Sequence, residues 1–187
     1  MNAQFAREVA HRLFAQEFRD SNFTFKDSND QYSPQYLLTP TGAKCNRIFV
    51  VGTLVEKENI GTDSEYWRAR VVDPTGAFFI YAGQYQPEAA HILAGIEPPA
   101  FVAVVGKPST YTAEDGTVRT SIRPESVHLV DAQTRDRWVL DAARCTMSRI
   151  RTMKAGGPDV EKVKEHYPRD VSKYRETALN ALRSLRA

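Results

Sequence analysis

Two neighbouring segments of the sequence alternate cations and rings in a way that suits a flexible, charged polymer. In Tyr66-Trp67-Arg68-Ala69-Arg70-Val71, one parity carries Tyr66, Arg68 and Arg70, and the other carries Trp67, Ala69 and Val71. In Phe78-Phe79-Ile80-Tyr81, Phe78 and Ile80 share one parity, and Phe79 and Tyr81 the other. Alternate side chains of a strand face opposite ways. One face is then apolar core, while the other shows two guanidinium groups and two rings. Rings stack on nucleobases, and arginines pair with phosphates or stack in turn. Arg68, Arg70, Phe79 and Tyr81 are therefore candidate contacts to single-stranded nucleic acid. Tyr85 lies just beyond them, and Lys107, Tyr111, Arg119 and Arg123 bracket a later polar loop and form a candidate second wall. Each has a bland alternative. Phe79 and Tyr81 can be covered by a helix or a partner, and Tyr85 and Tyr111 can be ordinary packing. Arg68 and Arg70 can pair with Glu56 or Glu58, a contact worth little on a surface.

Other chemistries find little to hold. There is no glycine-rich phosphate loop, no nucleophile elbow and no metal-ligand spacing among the scattered histidines His11, His91, His128 and His166. Asp73 precedes Pro74-Thr75-Gly76 and reads as a turn former rather than a catalytic acid. No enzyme, metal, cofactor or small-molecule substrate is expected. Cys45 and Cys145, a hundred residues apart, make no disulfide framework and are expected to pack as small apolar residues. Net charge is only +2 and uneven: from Arg144 onward eleven basic residues face five acidic, while Lys44 to Asp131 holds eight basic and eleven acidic. Nucleic-acid binding must then come from local placement of charge.

The elements that would position these residues follow from periodicity and turn chemistry. A composition of 42% hydrophobic and 26% charged residues fits a folded chain. No apolar run approaches the roughly 18–20 residues that span a membrane. The polar start Met1 to Glu8 does not fit a secretory signal, so the protein is expected in the cytoplasm. The spacing predicts strands over Arg47–Glu58, Tyr66–Asp73, Ala77–Ala82, Ala100–Lys107 and Thr117–Val130, with a short helix from Pro87 to Leu93 after the third. Gly52, inside the long first strand, marks a bend or bulge. Five strands with a helix between the third and fourth is the order of an OB-fold Greek-key barrel.

Helices flank the barrel. Asn2 to Phe18 places Phe5, Val9, Leu13 and Phe14 on one helical stripe. Asp27 to Pro34 is turn chemistry, and Leu37 to Lys44 an ordered lead-in that Pro40 and Gly42 keep from being helical. Thr134 to Met153 is a helix whose apolar set Trp138, Val139, Ala142, Ala143, Met147 and Ile150 spreads most of the way round, which favours burial against a partner helix over a simple barrel cap. Beyond a break near residues 155–158 come a short helix, Asp159–His166, and a last one, Asp170–Leu185, which docks on its own domain or serves a partner. The expected organisation is a lead-in over residues 1–43, a barrel over 44–131 and a helical extension over 132–187.

From about Phe5 to Met153 the chain resembles the archaeal replication protein A-associated family, OB-fold proteins that accompany archaeal replication protein A. The resemblance is carried by Leu38-Thr39-Pro40-Thr41-Gly42-Ala43-Lys44, Tyr66 to Gly76, Tyr81-Ala82-Gly83-Gln84-Tyr85-Gln86-Pro87 and Thr120-Ser121-Ile122-Arg123-Pro124-Glu125. It implies a subunit of a single-stranded DNA-binding complex in replication, repair and recombination, with a larger OB-fold partner chain. It also implies that the helix after the barrel, Thr134 to Met153, packs on partner helices. An assembly subunit without DNA contact and an RNA-binding module are the alternatives.

Overall fold

The computed structural model describes residues 7–168 and 170–185. In chain order the elements are α1 (Ala15–Asp20), β1 (Phe23–Lys26), β2 (Gln35–Leu38), β3 (Lys44–Cys45), β4 (Ile48–Asn59), β5 (Trp67–Asp73), β6 (Gly76–Ala82), α2 (Pro87–Gly95), β7 (Ala100–Thr112), β8 (Val118–Leu129), α3 (Ala132–Ala155), α4 (Pro158–His166) and α5 (Ser172–Ser184). Strands β4 to β8 close into a five-stranded barrel of order β4-β5-β6-β8-β7, and β1-β2-β3 form a small separate sheet. Closure comes from the parallel β6–β8 pairing at Ile80 and Ile122; the barrel's other pairings are antiparallel. This is the OB fold, a mainly β barrel with an N-terminal helix and a C-terminal helical extension.

At Gly52 the β5 backbone crowds β4: a Cβ there would sit 2.4 Å from the Val72 carbonyl oxygen, and the β4–β5 register shifts between Leu54 and Glu56. Inside the barrel lie Val50, Leu54, Ala69, Val71, Phe78, Ile80, Val104 and Ile122. At one end sits α2, its Leu93 in the core. Lys57 Nζ donates to the carbonyls of Leu93 at 3.0 Å and Ala94 at 2.6 Å, satisfying the negative end of that helix.

From residue 7 to the start of α1 the chain is non-helical. His11 forms an isolated parallel bridge with Ile48, its N–H donating to the Arg47 carbonyl at 2.9 Å and its carbonyl accepting from Phe49 at 2.9 Å. Within the described part of the helix expected over Asn2–Phe18, residues 7–14 are not helical, His11 bonding along β4 instead, and helix begins at Ala15. Leu13 and Phe14 are buried as expected, Val9 is exposed, and Phe5 lies outside the described residues. Two devices fasten α1. The Asp73 carboxylate accepts the Ala15 N–H at 2.8 Å and the N–H groups of Thr75 and Gly76, so the Asp-Pro-Thr-Gly turn also caps the helix. Burial raises the Asp73 pKa, and these donors act against that rise. In the same first turn Glu17, fully buried, accepts from Thr39 Oγ1 at 2.7 Å, from Thr41, and from Arg149 Nη2 of α3 at 2.9 Å. The Thr39-Pro40-Thr41-Gly42 stretch is thus one wall of an ion-pair site.

The tail docks on its own domain. Helix α5 packs on α3 and α1, with Ala178 and Ala181 in the core. Asp20 accepts from Lys173 at 2.6 Å and Tyr174 at 3.0 Å. Tyr167, which ends α4, donates to the Leu38 carbonyl at 2.6 Å and accepts from the Asn22 and Phe23 N–H groups. Among the described residues no helix is long and apolar enough to cross a membrane.

Removing Arg149 leaves Glu17 buried without its counter-charge. Arg149→Ala is expected to cost about 3–5 kcal/mol in denaturant unfolding, against less than about 1 kcal/mol for Arg68→Ala on the surface. Equal losses would contradict this assignment. For Asp20, burial opposes ionisation, but hydrogen bonds from Lys173, Gln16 and Tyr174 outweigh it and hold the carboxyl below its ordinary value of 3.8. That stabilisation is complete above the ordinary value and is lost as pH falls through the lowered one. Hydrogen exchange in α5 should therefore rise relative to β4 between about pH 5 and about pH 2, and Asp20→Asn should remove that difference.

Candidate nucleic-acid interface

Strand pairing sets the sequence-predicted residues in rows. Arg68 lies opposite Tyr81 on β6 and opposite Glu58 on β4; Arg70 lies opposite Phe79 and Glu56. Ala69, Val71, Phe78 and Ile80 are buried, as the alternation requires, while Phe79 is 41% exposed. No helix covers it. Both arginines are engaged: Arg68 Nη2 meets Glu58 Oε2 at 2.6 Å, and Arg70 Nη2 meets Glu56 Oε2 at 2.9 Å. The β4–β5 face is therefore locally neutral, and the plainer of the two readings of these arginines is the one observed.

Cations without such partners stand on the opposite wall. The strand expected to stop at Lys107 continues to Thr112, so β7 and β8 run on as a hairpin arm beyond the last β4 pairing at Gly106. Pro108 fits because that edge of β7 has no neighbour there. Cross-strand pairs along the arm are Lys107–Arg123, Ser109–Ser121 and Tyr111–Arg119. With two-residue alternation, all six share one face. Among the described residues none of Lys107, Arg119 and Arg123 makes an ion pair, and all three are exposed. Two cations placed directly opposite one another repel, a cost that a bound anion relieves.

A groove runs between this arm and the β5–β6 hairpin. Its lining includes Tyr66, Tyr81 and Tyr85 on one side and Ser109, Ser121 and Arg123 on the other. Tyr66 and Tyr81 stack with ring centroids 6.0 Å apart. Tyr85 is 84% exposed at the tip of a turn closed by Gln86 N–H to the Gly83 carbonyl at 2.9 Å, immediately before α2. From there the groove passes into a second hollow bounded by Tyr85, Lys107 and Arg123. The structure thus brings Tyr81, Tyr85, Lys107 and Arg123 together, sets Tyr111 and Arg119 further along the same arm, and leaves Phe79, Arg68 and Arg70 on the neutral flank. Tyr66 was missed among the site residues, although it shares its parity with Arg68 and Arg70. Ser109 and Ser121 gave no signal; only the length of the arm makes them groove residues.

The partner-helix set is corrected. Trp138, Val139, Ala142, Ala143 and Ile150 are buried within this chain, and Met147 is half-buried. Trp138 Nε1 donates to the Phe49 carbonyl at 2.9 Å, its ring meets Phe14 edge-on, and α5 covers α3. The wide apolar stripe faces barrel, N-terminal segment and α5 at once, so the five buried side chains are closed to a second molecule.

No family model and no curated protein matches the chain. Among solved structures, a chain of the S. pombe Stn1–Ten1 complex aligns at 15% identity with TM-score 0.54, over 86% of this chain and 100% of that one. This likeness covers barrel and flanking helices together and is one of fold. SSBb, the second single-stranded DNA-binding protein of Mycobacterium smegmatis, aligns at 19% identity and TM-score 0.39, over 46% of this chain and 87% of its own. Rim1, the mitochondrial single-stranded DNA-binding protein of S. cerevisiae, aligns at 20% identity and TM-score 0.35, over 46% of this chain and 94% of its own.

Gly83 sets the Tyr66 position. A Cβ there would lie 2.6 Å from Tyr66 Cδ2, the ring of a side chain that is 41% exposed and free to swing out. At Gly52 the obstacle is backbone. Gly83→Ala is expected to displace the Tyr66 ring, visible as shifted Tyr66 and Tyr81 aromatic NMR signals, with a stability loss under about 1 kcal/mol, whereas Gly52→Ala costs about 1–3 kcal/mol. Unmoved ring signals would show that Gly83 does not place Tyr66.

Proposed function

We propose that this protein binds single-stranded DNA, without sequence preference, in the groove between the β5–β6 hairpin and the β7–β8 arm. We further propose that it acts as a subunit of a replication protein A-like complex in replication, repair and recombination, beside a larger OB-fold chain. The observation that carries the binding is the union of three tyrosines with Arg123 in one groove, and of Tyr85 with Lys107 and Arg123 in the hollow it opens into, both cations lacking an ion-pair partner among the described residues. Tyr66, Tyr81 and Tyr85 offer stacking surfaces, and every base has a face to stack. Arg123 and Lys107 hold phosphates, and Ser109 and Ser121 accept or donate at the groove floor. Tyr111 and Arg119 extend the track toward the arm's tip. The complex membership rests on the sequence resemblance alone.

The neutral β4–β5 flank favours a second reading, in which the chain is an assembly subunit whose OB face meets protein. Fluorescence anisotropy with labelled oligo-dT at two salt concentrations separates the two. Binding that weakens with salt supports DNA contact, since phosphate contacts release counterions. No binding at low salt supports the assembly role, and competition with oligo-U reports any RNA preference.

Tyr81→Ala and Tyr85→Ala should each lose about 1–3 kcal/mol of binding, without unfolding the barrel. Lys107→Ala and Arg123→Ala should each flatten the log–log salt dependence by about 0.7. Normal binding by a Tyr81→Ala/Tyr85→Ala double variant would overturn the groove.

A further inference from the structure

We infer that Glu56 and Glu58 shield Arg68 and Arg70 from DNA phosphates, so that these carboxylates set both the path and the affinity of the strand. The inference rests on the DNA-binding reading above. On β4, Glu56 and Glu58 stand directly opposite the two arginines, which in turn stand opposite Phe79 and Tyr81. Each row therefore runs carboxylate, guanidinium, ring, and the anion occupies the side of the guanidinium away from the ring. Each contact is a single Nη2–Oε2 pair, at 2.6 Å for Arg68 and 2.9 Å for Arg70, rather than a two-point fork. All four side chains are more than two-fifths exposed, so water and ions reach them. A phosphate, which accepts two parallel N–H bonds from one guanidinium, competes well with such a contact. It must nevertheless approach past a fixed negative charge, and that repulsion raises the threshold for engaging this flank.

The consequence is a division of the OB face. The β7–β8 arm keeps its cations open, whereas the β4–β5 flank keeps its cations neutralised. A strand then settles in the tyrosine groove, and Phe79, beside the shielded Arg70, stays outside its path.

Glutamine keeps the hydrogen bond to arginine and removes the charge, so Glu56→Gln/Glu58→Gln isolates the effect. The double variant should bind oligo-dT on the order of ten-fold more tightly near physiological salt, with a salt dependence steeper by about 1.4, as two phosphate contacts are added at about 0.7 each. Adding Arg68→Ala/Arg70→Ala to it should abolish the gain, while in the wild-type background those two changes should leave the slope of the salt dependence unchanged, since no phosphate contact is lost, although the uncovered carboxylates lower affinity. Thermal melting checks that each variant is folded, and a melting point close to wild type is expected for exposed pairs. If wild type binds and the glutamine variant binds with the same affinity and slope, the shield is wrong and the groove stands. If the gain survives without the arginines, it is bulk charge, and the shield is wrong again. Binding by the glutamine variant alone would mean the shield is complete. If neither binds at low salt, the DNA reading fails and takes this inference with it.

Discussion

The buried pair of Glu17 and Arg149 holds three distant parts of the chain at one point. Helix α1 supplies the carboxylate, α3 the guanidinium, and the Thr39–Thr41 turn the hydroxyls that complete both. A carboxylate at 2% side-chain exposure persists only with its charge and lone pairs met, so all three elements must arrive together. Arg149 Nη1 also reaches the Arg12 carbonyl at 3.3 Å, which fixes the extended segment that adds to β4. With Asp73 capping α1 from the barrel side, the N-terminal segment, the lead-in sheet and the helical tail become one closed end of the molecule.

That arrangement explains why the helical extension does not offer an open partner face. The Trp138, Ala142 and Ile150 stripe is spent on the barrel end and on α5. What stays exposed is the β5–β6 hairpin and the β7–β8 arm, both continuous with the rigid barrel. Two walls of one OB face carry different electrostatics because of their neighbours. Arg68 and Arg70 have carboxylates across the strand pair, while Lys107, Arg119 and Arg123 sit on an arm whose outer edge pairs with nothing. The same residue type is thus neutralised on one wall and available on the other.

Most of the barrel was legible in the sequence, because strand alternation and turn chemistry are local. The five strands, the Pro87 helix and the inward set Ala69, Val71, Phe78 and Ile80 follow from periodicity. The small sheet of β1, β2 and β3 escaped notice, although Phe23-Thr24-Phe25-Lys26 and Gln35-Tyr36-Leu37-Leu38 flank a turn-rich loop as hairpin strands do. The N-terminal helix was overextended because an apolar stripe cannot announce that the Arg47 and Phe49 backbone will claim His11. The breadth of the α3 stripe is visible in the sequence, but the number of surfaces it meets depends on a tail helix folding back. Likewise, the split between paired and unpaired cations is a matter of register across strands: which carboxylate faces Arg68 is invisible until β4 and β5 are aligned.

The groove itself is tested most directly by following backbone amide NMR signals of the intact chain while unlabelled oligo-dT is added. Shifts concentrated on Tyr66, Tyr81 to Gln86 and the Lys107–Arg123 arm, with α3 and α5 unmoved, are the predicted result. Shifts confined to the helical extension, or none at DNA concentrations that saturate a known single-strand binder, would contradict a nucleic-acid interface in this groove.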